Sequence, residues 1–397
     1  MHAVAVLQKL LQRWTPSIHS KRRAALCAAV GSALSGGRLT LSALARSLDR
    51  DSAVRHRIKS IDRLLGNVRL RDERLLIYRM LCELLAGQAQ PCLIVDWSDL
   101  KPDRSLLLLR ASVWVHGFAL PVYEEVHPIR QQHSPRVHRE FLLTLRMLLP
   151  EDCQPVIVTD AGFRSTWFEA VQRQGWHWVG RIRNRTMVEI DGQWRHCKTL
   201  YPQARGKPRD LGELRVTRNH PTASRLVLFR KPPKGRHHLT LRGQVRRGKL
   251  SRKNASRESE PWLIAASPSL ADKSALDLIN LYRVRMRIEH GFRTLKSHQF
   301  GFGFEDSQSR RPERLAMLLL IHALALLLAW IAGVAAQRMQ LHRRLNSNAI
   351  EHRATLSIVS LGWMALTMIR MHLSDQDVAA ALALPPILPY GNNERRK

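Results

Sequence analysis

The chain has 397 residues, 45% of them hydrophobic, enough for a sizeable core in two or three domains. Its 64 Lys and Arg outnumber 32 Asp and Glu, giving a formal charge of +32 and a pI near 11.3. Solubility needs no such excess. The charge indicates a polyanionic partner, most commonly nucleic acid, and says nothing of catalysis; a ribosomal or membrane-surface protein is a poor fit to a chain this large and apolar. The five cysteines are odd in number and form no Cys-x-x-Cys pair, which speaks against a disulfide framework or a zinc site. Free thiols in a reducing cytoplasm are expected. The basic residues of the N-terminus follow its short apolar run, so no signal peptide is read there.

Residues 1–88 carry Leu and Ala at helical spacing. A short helix over 40–48, with Thr40 as its cap, and a turn over 49–52 lead to a second helix over 53–65. That helix bears Arg55, Arg57, Lys59 and Arg63 and ends at Gly66-Asn67. This is the outline of a helix-turn-helix whose basic second helix contacts DNA, although an ordinary surface helix pair has the same pattern. Next come a short buried strand over 92–95 and a hairpin, 106–115 with 118–126, about His116-Gly117. An amphipathic helix over 138–149, a strand over 156–159, a helix near 167–173 and a strand over 177–182 follow. Residues 186–260 break this alternation and read as a β-rich insertion. Its stretch from Arg230 to Arg257 holds eleven Lys or Arg and no acid, and suits either a solvated loop or a DNA-backbone cradle. A strand over 262–266 and a helix over 274–296 return the chain to the core. Residues 307–397 are helical again, with the last ten frayed. Within them 315–336 is apolar except for His322 and long enough to span a bilayer. Its basic flanks and the absence of a second span favour a buried helix.

Two acids end apolar strands: Asp96 after 92–95 and Asp160 after 156–159. Each also suits a turn, and Asp99 is a rival to Asp96. On a helix, Tyr282, Arg285, Glu289 and Lys296 fall within an arc of about 60°. A carboxylate lined up with two cations and a phenol suits a phosphate chain beside a metal ion, while the plain alternative is an exposed helix pairing Glu289 with Arg285 and Arg293. Three carboxylates in this order suit a pair of Mg²⁺ ions, with Mn²⁺ as a substitute.

Tyr282, Arg285, Glu289 and Lys296, together with Val95-Asp-Trp-Ser-Asp99 and Thr159-Asp-Ala-Gly-Phe163, make the chain resemble the DDE transposases of bacterial insertion sequences. The resemblance is to the hairpin-forming cut-and-paste subgroup marked Tyr-x2-Arg-x3-Glu-x6-Lys, and it runs from about residue 10 to about residue 375. It implies an α/β fold with a ribonuclease-H-like catalytic core (89–306) carrying the β-rich insertion. An all-helical N-terminal DNA-binding domain (1–88) and C-terminal helices (307–397) would flank that core. It implies that Asp96, Asp160 and Glu289 are catalytic and bind the metals, Asp96 bridging both. Arg285 and Lys296 would grip phosphates, with Tyr282 as hydrogen-bond donor or stacking partner. Trp262 would stack on a flipped base unless it is simply a buried strand residue, and Arg181 and Arg183 would contact DNA unless they are a solvated face. The implied partners are the terminal inverted repeats and the target DNA, bound by a homodimer in a paired-end complex, with no membrane. Rival readings are a metal-dependent nuclease without strand transfer, a non-catalytic DNA-binding protein, and a membrane protein using 315–336.

Overall fold

In the computed structural model the N-terminal helical spacing produces α1 (Ala3–Trp14), α2 (Ser20–Gly36), α3 (Leu41–Arg46), α4 (Val54–Leu65) and α5 (Val68–Ala86). The structure describes residues 2–183, 185–232, 244–246, 248–249, 251–252, 260–299, 301–345 and 355–384. Most of the basic stretch 230–257 and all of the expected frayed end lie outside them. The chain forms two units: Met1–Pro155 with Met286–Leu388, and Val156–Arg285. Thr40 caps α3 as expected, its hydroxyl accepting from the Ala43 N–H at 3.2 Å, and Asn67 caps α5 by accepting from Leu70 N–H at 2.9 Å.

The first unit continues with an antiparallel sheet in the order β3-β2-β1: β1 (Cys92–Asp99), β2 (Leu106–Val115) and β3 (Phe118–Pro128). The hairpin turn is at His116-Gly117, where both φ angles are positive, 28° and 85°, a conformation that favours Gly at the second position. β1 does not end at Val95; it stays paired with β2 through Asp99, so Asp96 lies inside the strand, opposite Arg110. α6 (Pro135–Leu148) starts three residues before the expected 138, because Pro135 at its first position is already set for a helix.

The second unit contains β4 (Val156–Thr159), α7 (Ser165–Gln172), β5 (His177–Ile182), β6 (Met187–Ile190), β7 (Gln193–His196), β8 (Arg209–Val216), β9 (Thr222–Phe229), β10 (Trp262–Ala266) and α8 (Ala275–Val284). The strand order is β4-β5-β10-β9-β8-β6-β7. β4 and β5 are parallel and the other neighbours antiparallel. Trp178 of β5 stacks on Phe168 of α7, ring centroids 4.1 Å apart. Gly180 leaves room for that ring, since a Cβ there would lie 2.7 Å from Phe168.

The chain then returns to the first unit as α9 (Met286–Lys296), α10 (Pro312–Arg338), α11 (Ile358–Thr367) and α12 (Asp375–Leu382). The single helix expected over 274–296 is thus two. The break is at Arg285, whose N–H donates to Tyr282 O at 3.1 Å, a tighter i−3 bond. α10 is long and apolar enough to cross a membrane by length and composition, yet every residue from Leu315 to Ala336 is buried within the unit. A helix apolar on all sides needs cover on all sides, and α2, α11, α12 and β3 supply it. All five cysteines are buried thiols outside any disulfide. Burial pushes the thiols of Cys27, Cys92 and Cys153 up to about 12.

α10 and α11 meet through glycine. A Cβ on Gly362 would overlap the carbonyl oxygen of Ala329, and one on Gly333 the carbonyl oxygen of Ile358. Neither neighbour is a side-chain end that can swing away. Gly362→Ala is therefore expected to destabilise the first unit by about 1–3 kcal/mol through overpacking. Chemical denaturation would check this, and an unchanged midpoint would mean that the helices part at no cost.

Candidate active site

Asp96 is one of the few polar residues buried in the first sheet, with 7% exposure. Alternation along β1 sends Trp97 to the opposite face, where its indole N–H meets His138 Nε2 of α6 at 3.1 Å. One Asp96 oxygen accepts the Trp97 main-chain N–H at 2.9 Å, which fixes the carboxylate locally. Directly across the ladder is Arg110, fully buried. Residues opposite each other in an antiparallel pair share a face, so Asp96 and Arg110 point the same way. The rival Asp99 has an ordinary explanation: it is half-exposed and pairs with Arg104 at 3.4 Å.

α9 covers that face. Ile288, Gly291, Phe292 and Leu295 turn inward at helical spacing, and Glu289 is exposed in the first turn. Phe292 stands under the Arg110 guanidinium, 5.0 Å from Cζ to ring centre. Lys296 is half-buried. Burial pushes its ammonium below the usual lysine range, while Glu305 and Asp99 pull it back and Arg110 adds to the fall.

In the second unit Asp160 immediately follows β4 and is half-buried. Its Oδ1 accepts the Gly162 N–H at 2.8 Å, the turn geometry its sequence suits. Arg181 and Arg183 are held by Glu260: Arg181 Nη2 is 3.5 Å from Oε2 and Arg183 Nη2 bonds the same oxygen. Tyr201 donates to the other Glu260 oxygen at 3.1 Å. Both arginines nonetheless line a cavity of about 1220 Å³ with Arg164, Arg185, Lys198 and Arg218, and none of the described residues lining it is acidic. Trp262 is 8% exposed. Tyr282 meets it edge-on at 5.0 Å and Lys231 Nζ lies 5.3 Å over its ring. Arg285 is half-buried at the helix break.

On α4, Arg55, Lys59 and Arg63 are exposed at four-residue spacing and so share a face. Arg57 differs: it is partly buried, and its Nη1 donates to the carbonyls of Arg46 and Leu48, both at 3.2 Å, clasping the end of α3. Sequence reasoning passed over Arg110, Glu124 and His138. The available signal for the first was a lone charge inside the apolar run 106–115.

Asp96, Asp160 and Glu289 offer only carboxylate oxygen, the donor chemistry that suits Mg²⁺ or Mn²⁺. Asp96 and Glu289 belong to the first unit and Asp160 to the second. Among the described residues, no group of three or more His, Cys, Asp or Glu is disposed to hold a metal ion.

The Trp97–His138 bond requires a neutral imidazole. Burial, then the charges of His133 and His127, push His138 down to about 4, against about 6.5 for a free histidine. Between those values the unfolded chain binds more protons than the folded one, so stability rises with pH. It is complete above about 6.5 and is lost as pH falls toward the folded value. His138→Gln keeps an acceptor for Trp97 without titrating. Its melting temperature should fall less than wild type's between pH 7 and pH 5, and parallel curves would refute the assignment.

Residues 88–328, more than half of the chain, match the family model described as Transposase DDE domain. The matched stretch contains Asp96, Asp160 and Glu289 in that order. No curated protein matches the chain. On the extent of that match, this chain belongs to the family of DDE-domain transposases.

Proposed function

We propose that the protein is a cut-and-paste DNA transposase of the hairpin-forming subgroup, acting on the terminal inverted repeats of its own insertion sequence. The observation that carries the reading is the family match, which spans the three carboxylates and the whole Tyr282-Arg285-Glu289-Lys296 motif. Asp96, Asp160 and Glu289 are its catalytic residues and hold two Mg²⁺ ions. Bound there, the metals supply water activation and charge neutralisation at phosphorus. Water attacks the phosphodiester at the element end and a 3′-OH leaves. That hydroxyl attacks the phosphodiester of the opposite strand, expelling the flanking strand's 3′-OH and closing a hairpin; a second water opens the hairpin and regenerates the 3′-OH, which attacks a target phosphodiester and expels a target 3′-OH. Arg285 and Lys296 hold phosphate oxygens, Arg by a bidentate fork and Lys as a point charge, and Tyr282 hydrogen-bonds or stacks beside them. Trp262 receives an extruded base, which requires Lys231 to leave its face.

In the same reading residues 1–88 are a DNA-binding domain, 89–306 a ribonuclease-H-like core with its insertion, and 307–397 a packing and dimerisation region. Two protomers hold two ends in a cytoplasmic complex. Arg55, Lys59 and Arg63 on the exposed face of α4 contact the DNA backbone, with Arg181 and Arg183 contributing from the second unit.

The test uses purified protein, Mg²⁺ and a labelled duplex carrying the element end with flanking DNA. Wild type should give a nick and then a hairpin. Glu289→Ala, Asp96→Asn and Asp160→Asn should each lose cleavage by about 10²–10³-fold or more, the scale of removing one group that stabilises developing charge, with DNA binding spared. Nicking without a hairpin would identify a plain nuclease, and binding without cleavage by wild type a non-catalytic DNA-binding protein.

A separate measurement concerns α4. Lys59→Ala should weaken binding uniformly across sequences and reduce the salt slope of log K by about 1. Arg57→Ala should instead lower thermal stability, because its donors serve α3. Equal salt slopes for Lys59→Ala and wild type would remove α4 from the interface.

A further inference from the structure

Arg110 is the lone charge of β2 and has no exposure at all. Glu124 of β3 stands opposite it: Arg110 Nε donates to Oε1 at 2.7 Å and Nη2 lies 2.6 Å from the same oxygen. Tyr78 of α5 donates to the other oxygen at 3.4 Å. Arg110 Nη1 is buried without a hydrogen-bond partner. Such a pair is weak evidence of stabilisation, because apolar residues of similar volume often replace one with no loss. Its surroundings suggest another purpose.

Arg110 adjoins both elements that carry the proposed carboxylates of the first unit, by backbone pairing with one and by side-chain contact with the other. In β1 its ladder partner is Asp96. On α9 it lies over Phe292, three residues beyond Glu289, and a Cβ on Gly291 would come to 3.5 Å from its Nη1. A second cation–π contact, Arg287 over Trp114 of β2 at 5.4 Å, secures the other end of the helix. A cation held over a ring face adds a directed attraction that aliphatic packing lacks.

We propose that Arg110, oriented by Glu124, is a positioning residue that sets the helix bearing Glu289 against the strand bearing Asp96. The inference rests on the catalytic reading of Glu289 given above. The decisive comparison is between wild type, Arg110→Met/Glu124→Leu, Phe292→Leu and Glu289→Gln, each assayed for melting temperature, DNA affinity, strand cleavage and amide hydrogen exchange.

The double variant is expected to melt near wild type and bind DNA equally well. It should cleave about 10²-fold more slowly, the scale of a misplacement of about 1 Å, with faster exchange over 286–296 and unchanged exchange over 315–336. A folded double variant that cleaves within about twofold of wild type, a barrier change too small for lost positioning, overturns the proposal. So does a loss of cleavage with no change in exchange over 286–296. If the double variant does not fold, Phe292→Leu decides by the same criteria, because it leaves the ion pair intact. Glu289→Gln separates the two levels of the argument. If it cleaves normally, the catalytic reading fails and takes this proposal with it. If it is inactive while the double variant cleaves normally, only the positioning role is lost.

Discussion

The segment from Leu315 to Ala336 has no side that can face water, and the first unit is arranged to meet that demand. β3 packs on one flank of α10, α2 and α11 on others. Small residues let the backbones approach where α11 crosses. His322, fully buried midway along the helix, is held neutral: burial drives its imidazole far below the usual range, and the charge of Arg110 adds to this. Phe302 meets it edge-on at 5.1 Å and stacks on Trp363 at 4.8 Å. Trp363 in turn donates to the carbonyl of Leu34 at 2.8 Å. A single apolar helix therefore ties the N-terminal helices, the first sheet through its strand β3, and the C-terminal helices into one folding unit.

Asp96 in the first unit and Asp160 in the second each meet a short-range partner. Asp96 and Asp160 each surrender one oxygen to a main-chain N–H no more than two residues away. The partly buried cations follow the opposite logic. Arg181 and Arg183 share one glutamate nearly eighty residues later in the chain, which offsets one of their two charges, and Arg57 reaches back to the preceding helix. A basic composition alone thus overstates the number of cations available to a polyanion.

Runs of strand length bounded by turn residues were legible in the sequence. The hairpin about His116-Gly117, β4, β10 and the apolar helix all lie close to where periodicity puts them. What could not be read shares one cause, dependence on partners remote in sequence. β1 extends to Asp99 only because β2 offers a ladder that far. The helix over 275–296 breaks at Arg285 without Pro or Gly to announce it. The inward turn of Arg57 and the pairing of Arg110 with Glu124 depend on tertiary geometry that residue types do not encode. The candidate carboxylates were found by their order along the chain, whereas the groups that hold them were not, because support of this kind leaves little mark on local composition.

The buried cysteines carry a consequence for reactivity. A thiol must ionise to attack an alkylating reagent or a disulfide, and burial holds these five protonated as well as covered. Four of them, Cys27, Cys82, Cys92 and Cys153, belong to the first unit, and Cys197 to the second. Their modification in a folded protein therefore requires local or global opening, so labelling kinetics at Cys197 and at the other four time the opening of the two units separately. A cysteine introduced on the surface would react long before any of them, and the native chain can accept a site-specific probe with its own thiols left in place.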